Sequence, residues 1–197
     1  MHGPLRSRHA SKPTRMLRPT DTLRAEHAVT SLGLSVLAGI ASHLRGGGAF
    51  PATDVAEVLR FLREFVQAVH LRKESECLYP GAAMAGDEAT AAMVGELMRL
   101  HDEVGDLLHA LVLFWEPSGD LLPDERTAFA ATAATLAARV ERMQQLEENA
   151  LFPACDASVP ADDQLDWNRR FAEHDHERTH AAAWQARLTA LAQRWHG

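Results

Sequence analysis

The sequence predicts an all-α protein, an up-down antiparallel four-helix bundle followed by a C-terminal fifth helix. Long segments carry apolar residues at helical spacing, while strand signals are almost absent. Short connections rich in Gly, Pro and Ser join these segments, which favours antiparallel neighbours. The chain also contains a duplicated helix pair with an offset of about 73 residues. A length of 197 residues and a 46% apolar share are sufficient for one self-supporting core.

The first two helices have clear end signals. The first is predicted over Asp21–Arg45, because a run of glycines from Gly46 closes it. The second is predicted over Asp54–Tyr79, starting at a capping aspartate and ending before Pro80, since proline disrupts a helix interior.

The remaining helices follow the same rules. The third is predicted over about Asp87–Trp115, and the fourth over Asp124–Phe152, before Pro153. A fifth helix is expected from about Asp162 to Trp195. The predicted organisation is thus a flexible basic tail over residues 1–19, the bundle over residues 20–153 and the C-terminal helix over residues 154–197, packed on or beside the bundle.

The charge distribution separates the tail from the rest of the chain. Residues 1–19 hold five basic side chains, no acidic ones and no apolar core, which is not the pattern of a secretory signal. The other residues carry 15 basic and 27 acidic side chains, a net charge of −12. A body of that charge repels nucleic acid and suits a cation-binding protein.

The cysteine content and the hydropathy favour a cytoplasmic protein. Cys77 and Cys155 are the only cysteines, which is no disulfide framework and indicates a reducing compartment. No uninterrupted apolar run approaches the roughly 20 residues that cross a membrane. We therefore expect no membrane partner.

The strongest functional signal is the end of the second helix. His70 and Glu74 are four residues apart and so share one helix face. Leu62 and Val66 precede them on the same stripe, which should face the core. A histidine and a carboxylate on a core-facing stripe are costly unless they are paired or bind a metal.

The duplication extends this signal to the other helices. Glu74 aligns with Glu147, and each is followed by Leu, an aromatic residue and Pro. Upstream, His27 aligns with His101 at an offset of 74 residues. Counted along four antiparallel helices, His27, His70, His101 and Met143 lie roughly 21–29 Å from one end of the bundle, which is one layer.

The candidate metal ligands are His27, His70, Glu74, His101 and Glu147. Mixed nitrogen and oxygen donors suit iron, manganese or zinc, and two carboxylates able to bridge favour a two-metal centre. Taken singly, any of these histidines is most simply a satisfied core histidine. Their register with the duplicated glutamates favours the metal site.

At these residues the chain resembles the hemerythrin family, specifically its HHE cation-binding domains. The resemblance covers about residues 20–153, and it implies an up-down four-helix bundle with a non-haem di-iron centre. It also implies histidines as terminal ligands and glutamates as bridges. Family members bind O2 or NO, handle peroxide, or sense iron or oxygen. Ferritin-like bundles differ, because their Glu and His are three residues apart.

Met143 departs from the family pattern, which predicts a histidine there. A thioether is a poor ligand for hard iron. Three outcomes are open: Gln144 or another histidine substitutes, the second metal binds weakly beside an open position, or the site is mononuclear or vestigial. His176 and His180 of the fifth helix are candidate donors, although a solvated polar face is the simpler interpretation of them.

The sequence leads to one main functional hypothesis and two others. The main one is an iron-binding protein that binds or senses O2, NO or peroxide, with no nucleic-acid partner. Formation of a homodimer is left open. The alternative is a helical regulatory or binding module whose metal site is weak or vestigial. The third is an enzyme that consumes peroxide or reduces NO, for which the sequence offers no separate acid–base pair.

Overall fold

The computed structural model of the protein describes residues 17–114, 120–176 and 181–195. The helices are α1 (Pro19–Arg45), α2 (residues 52–85), α3 (Glu88–Val112), α4 (residues 123–158), α5 (Ala161–His176) and α6 (Ala181–Trp195). Within these residues there is no strand, so the predicted all-α class is confirmed. Most of the predicted basic tail, residues 1–16, lies outside the described part of the chain.

Helices α1 to α4 form the antiparallel bundle that the sequence predicts. At one end, the Thr20 hydroxyl at the start of α1 donates to Asp156 Oδ1 near the end of α4, at 2.8 Å. At the other end, Arg126 near the start of α4 donates to the carbonyl of Gly48, just after α1, at 2.9 Å. These two contacts fix opposite directions for α1 and α4. Helix α3 packs against α4, and α2 contacts both α1 and α3.

Two of the predicted helix ends are wrong. The sequence placed them before Pro80 and Pro153, but α2 continues to Ala85 and α4 continues to Ser158. Each proline follows a π-helical turn and stands in the first turn of the next α-helical segment. At such a position the missing N–H is not needed by the helix, so proline is tolerated.

The C-terminal segment covers the bundle from outside. It was predicted as one helix over Asp162–Trp195, but the structure describes two helices, α5 and α6, on either side of residues 177–180, which lie outside the described residues. Helix α6 packs mainly on α1 and buries three apolar side chains, Trp184, Leu188 and Leu191.

Helix α1 is therefore covered by neighbours on several sides. Gly33 of α1 meets the Phe61 ring of α2 so closely that an added Cβ would lie 2.3 Å from Phe61 Cε1. The same ring contacts Trp184 of α6 at a centroid distance of 5.5 Å. By length and hydropathy alone α1 is able to cross a membrane, but 56% of its apolar window is buried in this fold. Packing against the bundle and α6 is sufficient to explain its apolar composition.

Candidate metal centre

All four bundle helices contribute polar side chains to one buried cluster. His27 comes from α1, His70 and Glu74 from α2, His101 from α3 and Glu147 from α4. Both glutamates are 0% exposed, while His27 and His70 are 2% and 3% exposed. The side chain of His101 is 12% exposed. The structure thus brings together the five residues that the sequence singled out.

One side of the cluster contains two imidazoles and two carboxylate oxygens. Glu74 Oε1 lies 3.1 Å from His70 Nε2 and 3.6 Å from His27 Nε2. Glu147 Oε2 lies 3.3 Å from His27 Nε2. The ligand atoms of His27, His70 and Glu74 all lie within 4.8 Å of one another, close enough to share one ion. We name this group position 1.

The other oxygens of the same carboxylates face a second group. Glu74 Oε2 lies 2.9 Å from His101 Nε2. Glu147 Oε1 accepts a hydrogen bond from the hydroxyl of Tyr79, which also lies 3.5 Å from Glu74 Oε2. We name this group position 2. Each carboxylate therefore has one oxygen at each position, as a bridging ligand requires.

Three buried polar atoms at position 1 test whether the residues fit a cation. His27 Nε2, Glu74 Oε1 and Glu147 Oε2 make no hydrogen bond of good geometry within the described residues, although they face one another and His70 Nε2 at 3.1–3.6 Å. A buried polar atom without a partner typically costs 1–3 kcal/mol, and more if it is charged. All three atoms face the same volume and are of donor types that iron, manganese and zinc accept. The residues fit a metal ion.

The outer nitrogens of two histidines are fixed by carboxylates. His27 Nδ1 donates to Glu148 Oε1 at 2.7 Å, and His70 Nδ1 donates to Glu26 Oε2 at 2.9 Å. With Nδ1 carrying the proton, each ring turns an unprotonated Nε2 toward position 1 when a metal is bound. Carboxylate partners of this kind orient metal-binding histidines and raise their basicity.

Comparison with family models shows the family to which this fold belongs. The family model described as the hemerythrin HHE cation binding domain matches residues 18–155, well over half of the chain. The chain belongs to the hemerythrin HHE family. Searches against curated proteins and against solved structures give no significant match.

In this HHE domain the three candidate ligands from α2 and α4 lie at irregular turns. His70 ends the π-helical segment Leu62–His70, Glu74 begins the segment Glu74–Leu78, and Glu147 begins Glu147–Leu151. Insertions of π-helix are rare and occur frequently at functional sites, since the wider turn re-aims side chains. The two segments that begin with glutamate coincide with the sequence repeat.

The position of Gln144 argues against it as the substitute for the missing histidine at Met143. The side-chain amide of Gln144 donates to the His27 backbone carbonyl at 3.4 Å, and its oxygen accepts from Ser31 at 3.2 Å. Its polar atoms are thus committed to α1. Met143 itself is buried in α4, at 2% exposure. The side chain of His176 and the whole of His180 lie outside the described residues.

The electrostatics show how strongly the HHE site attracts positive charge. Burial opposes protonation of His27, but the carboxylates of Glu147 and Glu74 outweigh it and raise the pKa to about 9. Likewise, Glu74 and Glu26 overcome burial and raise the pKa of His70 to about 10. Burial raises the pKa of Glu147, and repulsion from Glu74 raises it further. The two buried carboxylates therefore require nearby positive charge, from imidazolium protons or from a cation.

A surface cleft lies beside the His101 side of position 2. It has a volume of about 470 Å³ and lies between α2 and α3. His101 forms part of its wall, together with Gln67, Leu71, Arg72, Ser75, Asp102, Gly105 and Asp106. His101, the most exposed of the five candidate ligands, is thus the one that the cleft reaches.

Sequence analysis missed several residues around the site. The sequence presents Tyr79 only as the last residue of the second predicted helix, yet its hydroxyl lies between the two carboxylates. Glu26 and Glu148 look like surface acids, and their only signal is that each adjoins a candidate ligand, His27 or Glu147. Adjacent residues on a helix point about 100° apart, so adjacency alone does not predict a contact.

Proposed function

We propose that this HHE domain binds iron, as a pair of ions, and that the iron binds or senses O2, NO or peroxide. The observation that carries the proposal is the convergence on one volume of three buried atoms, from His27, Glu74 and Glu147, that face one another without a hydrogen bond. His27 and His70 would hold the ion at position 1, His101 would hold the ion at position 2, and both glutamates would bridge. Iron there supplies an exchangeable coordination position and a ferrous–ferric couple.

Tyr79 is the donor that we propose for position 2 in place of the histidine that Met143 replaces. Its hydroxyl lies against one oxygen of each bridging carboxylate, on the same side as His101. A phenol oxygen is a harder donor than a thioether and suits iron better. In this role Tyr79 also holds a proton at Glu147 until a metal displaces it.

The surrounding residues limit what reaches the site. The ligands from α1, α2 and α4 are almost fully buried, so water and large molecules are excluded from position 1. The cleft beside His101 admits small molecules, and its Asp102 and Asp106 favour cations over anions on the approach. We propose diatomic gases and peroxide as partners, with no nucleic-acid or membrane partner, and a cytoplasmic location. A homodimer is not required by this site, which one chain supplies completely.

Binding of NO to the ferrous protein tests this function. We expect purified protein reconstituted anaerobically with Fe²⁺ to give an electron paramagnetic resonance signal on addition of NO. Glu74→Gln should reduce that signal strongly, because Glu74 contacts both positions. Glu88→Gln, an exposed substitution at the start of α3, is the matched control. No signal from iron-loaded wild-type protein would favour the regulatory module with a vestigial site.

A further inference from the structure

Lys73 is a buried cation that the candidate metal ligands do not use. It stands between His70 and Glu74 in sequence, and its side chain is 0% exposed. Its ammonium pairs with Glu26 and with Asp175 Oδ1, the latter at 2.6 Å. A buried ammonium is costly unless it is paired and hydrogen-bonded. Lys73 therefore depends on both carboxylates.

Glu26 connects this cation to the metal centre. Its Oε1 accepts from Lys73, and its Oε2 accepts from His70 Nδ1 at 2.9 Å. A chain of charge-assisted hydrogen bonds thus runs from His70 through Glu26 and Lys73 to Asp175. Asp175 belongs to α5, which lies beyond the family match at residues 18–155.

Helix α5 is packed firmly enough to hold Asp175 in place. Trp167 lies so close to α2 that a Cβ on Gly81 would be 2.1 Å from its Cζ2. The Phe171 ring is 2% exposed and lies 5.5 Å from the Lys73 ammonium. Arg170 donates at 3.0 Å to the backbone carbonyl of Glu76. Pro80, four residues later in the helix, has no N–H and so cannot donate to that carbonyl.

We propose that α5 tunes the metal centre through this chain, with Lys73 and Asp175 as positioning residues for His70. The inference rests on the proposed metal function. A carboxylate on the outer nitrogen of a histidine ligand raises the basicity of the inner nitrogen. The positive charge of Lys73 weakens that effect of Glu26, and the negative charge of Asp175 restores it. Removal of the Asp175 charge should make His70 a weaker donor.

Asp175→Asn provides the direct test. In full-length protein titrated with Fe²⁺ and, separately, with Zn²⁺, we expect affinity to fall by roughly tenfold, the low end for outer partners of metal ligands. The ferric–ferrous potential should rise, because a weaker donor favours the ferrous state. Asp175→Glu should restore both quantities. Asp166→Asn, a surface substitution on the same helix, should change neither.

Two further arms make the test decisive. If Asp175 acts through Lys73, Asp175→Asn should have no further effect on affinity in a Lys73→Met background. In metal-free protein, Asp175→Asn should also shift the ¹⁵N resonance of His70 Nδ1, and this arm stands even if Lys73→Met fails to fold. Wild-type affinity, potential and ¹⁵N resonance in Asp175→Asn would overturn the inference while leaving the metal function intact. Wild-type protein that binds neither metal would overturn the metal function first and the inference with it.

Discussion

The hydroxyl of Tyr79 donates a hydrogen bond to Glu147 and lies 3.5 Å from Glu74 Oε2, so one phenol joins the two buried carboxylates of the metal centre. Its ring also contacts the His101 ring at a centroid distance of 5.2 Å. Tyr79 therefore lies on the same side of the two carboxylates as His101 and adds an oxygen donor there.

Absorption of the ferric protein tests the proposed role of Tyr79. A phenol oxygen bound to ferric iron gives a visible charge-transfer band, and the chain contains only one tyrosine to produce it. We expect the band in iron-loaded wild-type protein and its loss in Tyr79→Phe, with position 1 still able to bind iron. A band that survives in Tyr79→Phe, or is missing from the wild type, would show that Tyr79 is not a ligand.

Met143→His tests whether the repeat places this side chain at the centre. A second imidazole at position 2 should raise metal occupancy toward about two ions per chain, since nitrogen suits iron better than a thioether. Metal content by mass spectrometry measures the change. Met98→His is the control, because Met98 is 55% exposed on α3. Equal metal content in the Met143 variant and wild type would mean that position 143 does not face the site.

The space around Gly33 and Gly95 predicts opposite effects on stability when each is replaced by alanine. Gly33→Ala would push a methyl group into the Phe61 ring, and overpacking of this kind costs about 1–3 kcal/mol. Gly95 is exposed on α3 with no atom within 4 Å of an added Cβ, so Gly95→Ala should stabilise by about 0.5–1 kcal/mol. Denaturant unfolding measures both values, and a Gly33→Ala protein as stable as Gly95→Ala would contradict the packing.

The two cysteines should be inert in the native protein. Burial, with some help from Asp156, raises the pKa of the Cys155 thiol to about 12, and burial also raises the pKa of Cys77. Only the thiolate attacks, so at pH 8 native reactivity should be very low and should rise with pH. We expect a thiol reagent to label both cysteines rapidly only in denaturant. Fast labelling of native protein at pH 8 would show that these helix ends open.

Both the bundle and the five candidate ligands could be predicted from the sequence, because both depend on which residues face the core. Helical periodicity marks the core-facing stripe, and the repeat selects polar residues that interrupt that stripe, such as Glu74 and Glu147. A buried carboxylate is costly enough that its appearance twice in register is informative. The helical periodicity and the cost of burying a carboxylate therefore single out the same residues, Glu74 and Glu147.

The features that sequence analysis missed depend on contacts between helices. The helix ends expected at Pro80 and Pro153 fail because π-helical turns precede both prolines. The role of Lys73 depends on its contact with Asp175 of α5, a residue that lies 102 positions farther along the chain. Only the packing of α5 on α2 brings the two side chains together. Neither the π-helical turns nor the packing of α5 on α2 can be predicted from the helical spacing of apolar residues.

Metal analysis of Glu147→Gln beside Glu141→Gln is the most direct test of the central claim. Both glutamates lie on α4, but Glu147 is 0% exposed among the candidate ligands, whereas Glu141 is exposed. For proteins purified without nickel or zinc and loaded anaerobically with Fe²⁺, we expect about one to two irons per chain in wild type and Glu141→Gln. Glu147→Gln should hold clearly less. Equal iron in all three proteins, or none in the wild type, would contradict a metal centre at this cluster.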